Sequence, residues 1–333
     1  MLTHLGLVIA AMNYVTVAGL RAGDRASVAV PMTHVTGISG GLLPMLLIGG
    51  AVLSTRAFKA KAFLERAAAD RMTFVVMVPA MYALCLLQPE FDQLDLSAWR
   101  VGGYGGAPMA AATIERLASS LPGLALINCY GSTETAGPQA MCPPGDTLRK
   151  RDCVGRAIPT GEIIIMDEDG VQVPLGEIGE IWIRGASVAP GYWKNPEATA
   201  KEFQAGFWKS GDLGSIDAEG FVRVLDRKKD MLNRGGYKIY SSEVEHVMMA
   251  FPGVVEAAII AKPCPVLGER VHAVVMVTAE IFDESQLQAH CASALSNYKV
   301  PETFTVVREP LPRNANGKLM KRELRENLFG VST

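Results

Sequence analysis

Apolar and polar positions open the chain on a helical rhythm. Met1 to Leu20 is apolar, with polar breaks at Thr3, His4 and Asn13 and no basic leading segment. That pattern predicts a buried helix rather than a signal peptide. Ala26–Val30 is a short β-rich run. Gly37 to Ser54 is also apolar, but Pro44 and several glycines divide it. It reads as a core helix, a turn and a strand at Ala51–Ser54, not as a membrane span. Lys59 to Arg71 has helical periodicity, Thr73–Val78 is β-branched, and Pro79 suits the first position of a further helix. Strands are expected at Trp99–Gly103 and Ala125–Cys129, with a helix over Ala110–Ser120 between them. This βαβα order predicts a parallel, doubly wound sheet covered by helices.

The texture changes near Val154. Ile163–Met166, Gly179–Arg184 and Phe221–Asp226 read as strands separated by turns such as Asp169-Gly170 and Glu219-Gly220. They predict a small antiparallel or β-barrel-like subdomain. After the polar crossing Arg227-Lys228-Lys229-Asp230 comes a compact α+β unit. It comprises helix Ser242–Ala250, strands Val254–Ala261 and Val271–Val277, helix Ser285–Leu295, and a last loop and helix from Pro312. The expected fold class is therefore α/β: part of a large domain over residues 1–228, then a small α+β domain over residues 229–333.

Composition narrows the function. The 333 residues, 49% hydrophobic and 20% charged, fit a globular protein with a sizeable core. A net charge of -2 gives a nucleic-acid partner no electrostatic support. The six cysteines never fall at C-x-x-C spacing, so neither a zinc site nor a redox pair is indicated. A reducing, cytoplasmic setting is the expectation.

Two segments follow expected parallel strands, where open α/β sheets bind ligands. One is Gly102-Gly103-Tyr104-Gly105-Gly106-Ala107-Pro108; the other is Asn128-Cys129-Tyr130-Gly131-Ser132-Thr133-Glu134-Thr135. Glycines permit close backbone approach to a ligand. Tyr130 can stack on a flat base, Thr133 can donate to a phosphate, and Glu134 can ligate a hard cation such as Mg²⁺. The first segment alone reads equally as a Gly-rich turn.

Tyr130-Gly131-Ser132-Thr133-Glu134 resembles the adenine-and-phosphate motif of the AMP-forming acyl-CoA synthetases. These belong to a superfamily of adenylating enzymes that includes luciferases and peptide-synthetase adenylation domains. The resemblance continues through nearly the whole chain. Gly179 to Gly185 with Pro190-Gly191-Tyr192-Trp193 resembles a structural core signature, and Trp208 to Gly214 a ribose-binding motif. Asp226 to Asp230 resembles the family's hinge, and Pro312 to Lys318 its terminal lysine loop. The resemblance implies ATP-dependent activation of a carboxylic acid to an acyl-adenylate, then thioester formation with coenzyme A. ATP or AMP, Mg²⁺ and coenzyme A are the implied cofactors, and a homodimer is among the assemblies it allows.

The resemblance also implies roles. Gly105, Gly106, Ala107, Pro108, Asn128, Cys129, Tyr130, Gly131, Ser132 and Thr133 would line the nucleotide, with Thr133 and Glu134 also assisting the reaction and Glu134 holding the metal. Asp212 would accept from both ribose hydroxyls, and Arg227 would add a charge-assisted bond. Lys318 would be the cation between the reacting carboxylate and the α-phosphate. Lys229 would be the hinge about which the small domain, a mobile lid, swings. Gly235, Gly236 and Tyr237 would line the tunnel for the pantetheine arm. His34, in Pro31-Met32-Thr33-His34-Val35, matches a motif near the acyl pocket, although Thr33 stands where the family often has an aromatic residue. Apart from the resemblance, Asp212 reads as a solvated turn aspartate, Arg227 as a surface charge and Gly235-Gly236 as an ordinary turn, while Lys318 reads equally as a surface lysine and His34 equally as a core histidine.

One departure concerns phosphate. The family's Ser/Thr/Gly-rich loop with its lysine would directly precede Met1-Leu2-Thr3-His4, and Asn316-Gly317-Lys318 does not replace it. Adenylation by this chain is therefore expected to be weak or absent. The alternatives are a non-catalytic remnant that binds AMP or a protein partner, and a stand-alone adenylation domain that loads a carrier protein.

Overall fold

The computed structural model describes residues 1–277, 282–314 and 319–330. Its Cα packing divides the chain into two compact units, Met1–Ser210 with Gly214–Val224, and Gly211–Leu213 with Leu225–Thr333.

The first unit begins with α1 (His4–Val17) and β1 (Arg25–Val28), then a π-helical turn over Thr36–Leu42 that runs into α2 (Leu43–Ile48). β2 (Ala51–Ser54), α3 (Ala60–Ala69), β3 (Phe74–Met77), α4 (Pro79–Leu86), β4 (Val101–Gly105), α5 (Ala111–Ser120) and β5 (Ala125–Ser132) follow. Local chemistry sets these ends. The Thr3 hydroxyl accepts from Gly6 N–H at 2.9 Å and caps α1. Pro79 occupies the first turn of α4, where no N–H is needed. Gly49, left-handed at φ 67°, closes α2.

The strands run parallel in the order β2-β1-β3-β4-β5. β3 is buried along its whole length, as expected of a strand covered on both faces. One face packs on Phe63, Leu64, Tyr82, Trp99, Ile114 and Leu117. The Tyr82 ring stacks on Trp99 at 5.9 Å, and its hydroxyl donates to Gly103 O at 2.8 Å. Burying a phenol there is tolerable because its polar end is satisfied. Because β2 and β3 flank β1, the strand order reverses between β1 and β3, and their carboxyl ends form the topological switch point of the sheet.

β6 (Gly137–Met141), β7 (Gly155–Ala157), β8 (Gly161–Met166), β9 (Gly179–Gly185), α6 (Pro196–Glu202), β10 (Phe203–Gln204), β11 (Phe207–Ile216) and β12 (Phe221–Arg227) complete this part. The expected antiparallel strands are present. They continue the parallel sheet in the order β5-β6-β7-β12-β11-β9-β8, with β10 beside β11.

The second unit contains β13 (Leu232–Arg234), β14 (Tyr237–Ile239), α7 (Ser241–Met249), β15 (Val254–Cys264), β16 (Gly268–Val277), α8 (Glu284–Ala294), β17 (Thr303–Val307) and α9 (Lys321–Phe329). Its sheet runs β14-β13-β16-β15, with β17 parallel to β16. Strand alternation divides the core. Ile259, Val271, Ala273 and Val275 pack with Val244, Met248, Leu287 and Cys291 of α7 and α8. Ala258, Ile260 and Val274, on the other face, pack with Leu311 and Leu324.

Some expectations shift. α1 is buried on one face only: Ala10, Ala11 and Tyr14 are buried, while Leu5, Val8 and Met12 are exposed. The core helix expected after Gly37 is present as the π-helical turn and α2, while β13, β14 and β17 carry no strong periodic signal and are visible only in the structure. Among the described residues no helix is long and apolar enough to cross a membrane.

The amino ends of the parallel strands carry one buried charge pair. Asp24 is 3% exposed and accepts from Arg21 N–H at 2.7 Å and Arg100 Nε at 3.1 Å. Burial alone would raise the Asp24 carboxyl. The bonds from Arg100, Arg21 and Thr73 outweigh it and hold the group below the ordinary carboxylate range. A lowered native pKa stabilises the fold above the unfolded value, and that stabilisation disappears as pH falls through the native one. Asp24→Asn should therefore cost about 2 kcal/mol near neutrality. Urea denaturation of both proteins should show the gap constant above about pH 5 and shrinking below about pH 4.

Candidate active site

The carboxyl ends of β4 and β5 lie side by side, with Tyr104 opposite Asn128 and Gly105 opposite Cys129. The segments expected as loops are partly strand. Gly102 to Gly105 belong to β4, and Asn128 to Ser132 belong to β5. In the first segment the exposed Gly106-Ala107-Pro108 leaves the sheet, through Gly106 at φ 78°. Glycine at 105 is required sterically, since a Cβ there would lie 2.3 Å from Cys129 O. Asn128 is buried and donates to Cys153 O at 3.1 Å. The Cys129 thiol lies in the core, and burial pushes it up to about 12, so it is not a nucleophile.

The chain then folds back tightly. β5 and β6 pair antiparallel, with a register shift between Tyr130 and Gly131. A Cβ on Gly131 would sit 2.1 Å from Gly137 O, so only glycine admits this close return. Ser132 N–H donates to Thr135 Oγ1 at 3.0 Å, closing a 3₁₀ turn over Thr133–Thr135. Thr133 is exposed at its tip. Tyr130 is half-buried against the cluster containing Ile163, Ile181 and Trp208.

Glu134 is held from two sides. Its carboxylate accepts from Ser132 Oγ at 2.6 Å and from the Tyr192 hydroxyl at 3.0 Å. Its main-chain oxygen accepts from Ala189 N–H at 2.7 Å. Burial, with the neighbouring Glu134 charge adding to it, keeps the Tyr192 phenol above its ordinary range, so it remains a neutral donor. Tyr192 is in turn placed by a bond from its N–H to Thr199 Oγ1 at 2.9 Å and by an edge-on contact with Phe203. Sequence reasoning had given Tyr192 only a structural part. Its contact with Glu134 spans 58 positions and has no local signature.

His34 lies in the turn that follows the carboxyl end of β1. Its Nδ1 accepts from Thr36 N–H at 3.2 Å at the head of the π-helical turn. Burial lowers its pKa, so the ring is neutral at physiological pH. Close packing continues at Gly37, where a Cβ would lie 2.5 Å from Pro31 O.

In the second unit, Asp212 and Arg227 form an ion pair, Nε to Oδ1, at 2.8 Å. Gly211, left-handed at φ 68°, precedes Asp212, and its carbonyl accepts from Lys228 N–H at 2.8 Å. Arg227 O accepts from Asp230 and Met231 N–H, so Lys228, the exposed Lys229 and Asp230 form a turn. The expected pantetheine loop is a tight hairpin between β13 and β14. Gly235 and Gly236 are both left-handed, at φ 57° and 93°, as a two-residue hairpin turn of this hand requires. Tyr237 stacks on Tyr298 at 4.6 Å and stays 59% exposed, which leaves an aromatic face in solvent. Ala315, Asn316, Gly317 and Lys318 lie outside the described residues. On either side of them, Arg313 bridges Leu319, and Met320 N–H donates to Pro312 O at 2.9 Å.

Comparison with known proteins gives this arrangement its context. The profile of the AMP-binding enzymes matches residues 1–193, and that of the AMP-binding enzyme C-terminal domain matches residues 243–318. A feruloyl-CoA synthase from an Amycolatopsis species is 36% identical over 331 residues, 99% of this chain and 67% of that protein. A long-chain-fatty-acid–CoA ligase from Mycobacterium tuberculosis is 33% identical, over 97% of this chain and 63% of that one. The chain thus spans about two thirds of the length of these relatives. Among solved structures, o-succinylbenzoate CoA synthetase from Bacillus subtilis, in complex with its acyl-adenylate intermediate, superposes with a TM-score of 0.88 at 29% identity. That match covers 98% of this chain and 65% of that one. An amide bond synthetase from Marinactinospora thermotolerans gives 0.87 at 30% identity, over 97% and 66% of the two chains. With both profiles matched in order and more than half of its residues covered by the first, the chain belongs to the AMP-binding enzyme family.

Proposed function

We propose that the chain takes part in ATP-dependent activation of a carboxylic acid, with the acyl-adenylate then passed to coenzyme A. The observation that carries this reading is the turn Thr133–Thr135 at the carboxyl end of β5, with Glu134 already fixed by Ser132 and Tyr192. A carboxylate held at the end of a parallel strand suits a nucleotide-borne cation, not substrate binding through apolar contact.

In the first stage a carboxylate oxygen attacks the α-phosphorus, and the bond to pyrophosphate breaks. In the second, a thiolate attacks the acyl carbon and AMP leaves. The exposed Thr133 hydroxyl would donate to phosphate. Asp212 would accept from the ribose hydroxyls while Arg227 holds it in place. Mg²⁺, when bound, supplies positive charge to the phosphates. Magnesium commonly uses one or two carboxylates plus substrate phosphates and water, so a single held carboxylate, Glu134, fits that demand. Among the described residues no cluster of three or more acidic, histidine or cysteine side chains forms a self-sufficient metal cage. Lys318 would balance the two anions that meet in the first stage. The hairpin Gly235-Gly236 and the exposed Tyr237 would receive the pantetheine arm, Lys229 would be the hinge, and His34 would border the acyl pocket.

Calorimetric titration with AMP tests the reading directly, because it requires no phosphate-gripping loop. The chain should bind AMP, and Asp212→Ala should weaken binding by about 10–100-fold through loss of charge-assisted bonds. Absence of AMP binding by the unaltered chain would overturn the reading. A second titration, with ATP, isolates the metal. Tyr192→Phe removes one donor from Glu134 and should alter affinity by about threefold to tenfold in Mg²⁺, yet leave it unchanged in EDTA. Equal effects in both media would remove Glu134 from the metal site.

A further inference from the structure

Helix α9 starts against the usual electrostatic rule. Its first turn carries Lys321 and Arg322 against a single acidic residue, Glu323, and no side chain caps it. Cations at a helix amino end oppose the helix dipole. Apolar burial does not compensate, because Leu324 is the one buried side chain of this nine-residue helix among its described residues.

Lys321 sits at the centre of a largely buried polar relay. Its ammonium pairs with Glu245 Oε1 at 2.6 Å and donates to Ser241 Oγ at 2.5 Å. Ser241 Oγ donates on to Asp226 Oδ2 at 2.8 Å, and Ser241 N–H reaches the same oxygen at 2.5 Å. The other Asp226 oxygen accepts from Arg227 N–H at 2.8 Å. Glu245 is fixed independently by Ile259 N–H at 2.7 Å. Burial raises both the Asp226 and Glu245 carboxyls, and Lys321 opposes that rise in each. Removing the ammonium would leave two desolvated carboxylates without their shared cation.

Both ends of the relay matter. Lys321 directly follows Met320, whose N–H to Pro312 O bond, with the Arg313–Leu319 bridge, closes the base of the segment carrying Lys318. The opposite stem is held by Glu256, which pairs with Arg313 at 2.8 Å and accepts from Leu311 N–H at 2.9 Å. The far end of the relay is the backbone of Arg227, the partner of Asp212. We propose that Lys321 is a positioning residue: through Ser241 and Asp226 it registers the base of the Lys318 segment against the Arg227–Asp212 pair. The catalytic meaning of this register rests on the function proposed above; the register itself does not.

The test compares Lys321→Met with Lys321→Arg in the full chain by two readouts. The first is hydrogen exchange. The Met variant should speed exchange at the Met320 and Arg227 amides by about tenfold and leave the β15–β16 amides unchanged. The second separates the half-reactions, with ferulate and ATP for adenylation and supplied feruloyl-adenylate with coenzyme A for thioester formation. Adenylation should fall about 10–100-fold in the Met variant, thioester formation should stay within about twofold, and Arg should restore adenylation. Ser241→Ala breaks the relay but keeps the Lys321–Glu245 pair, and it carries the same comparison should the Met variant not fold. Unchanged exchange at Met320 and Arg227, or equal loss in both half-reactions, would overturn the proposal. If the unaltered chain performs neither half-reaction, the outcome expected where the phosphate-gripping loop is missing, the exchange comparison alone decides the register, and AMP binding decides the functional reading.

Discussion

The rest of the candidate site depends on how closely three main chains approach where the carboxyl ends of β4 and β5 meet the amino end of β6. Gly105 faces Cys129 O, and Gly131 faces Gly137 O, at separations that leave no room for a Cβ. A side chain at either place would push the strands apart and unseat the turn that presents Thr133 and Glu134. A parallel strand therefore ends in a bulge and an immediate antiparallel return, and the sheet changes direction there without a long loop. That compact return aims polar groups outward from a rigid element, which is more precise than mounting them on a mobile loop.

Charge placement follows a second rule. Each carboxylate with an assigned role is held by a named donor before any ligand arrives. Glu134 has Ser132 and Tyr192, and Asp212 has Arg227. Such groups need no reorganisation when a nucleotide binds, and avoiding reorganisation is a main source of electrostatic stabilisation in enzymes. Asp226 extends the rule to a residue without a ligand of its own. It serves Ser241 and the Arg227 backbone and takes charge balance from Lys321 at a distance.

Strong periodicity made much of the fold legible. The buried runs Phe74–Met77 and Val271–Val277 and the Pro79 helix start are local facts that backbone geometry converts directly into elements. The short elements were illegible for an equally physical reason. β13 and β14 have three residues each, too few to carry an apolar pattern. The ends of β4 and β5 were misjudged because glycine and polar residues there suggest loop. Neighbouring strands supply the hydrogen bonds that keep them extended.

The sequence by itself determined the family and the chemical types proposed for the candidate site: the Tyr130 to Glu134 run, Asp212, Arg227, Lys229 and Lys318 in their order. Those follow from residue identity and spacing along one chain. Only the tertiary structure decided which donor holds which carboxylate. Tyr192 reaches Glu134 across 58 positions, and Lys321 reaches Ser241 across 80. Such pairings are fixed by strand register and helix placement, which no local pattern encodes. A lysine three positions past Lys318 reads as one more surface charge until α7 and the end of β12 close around it.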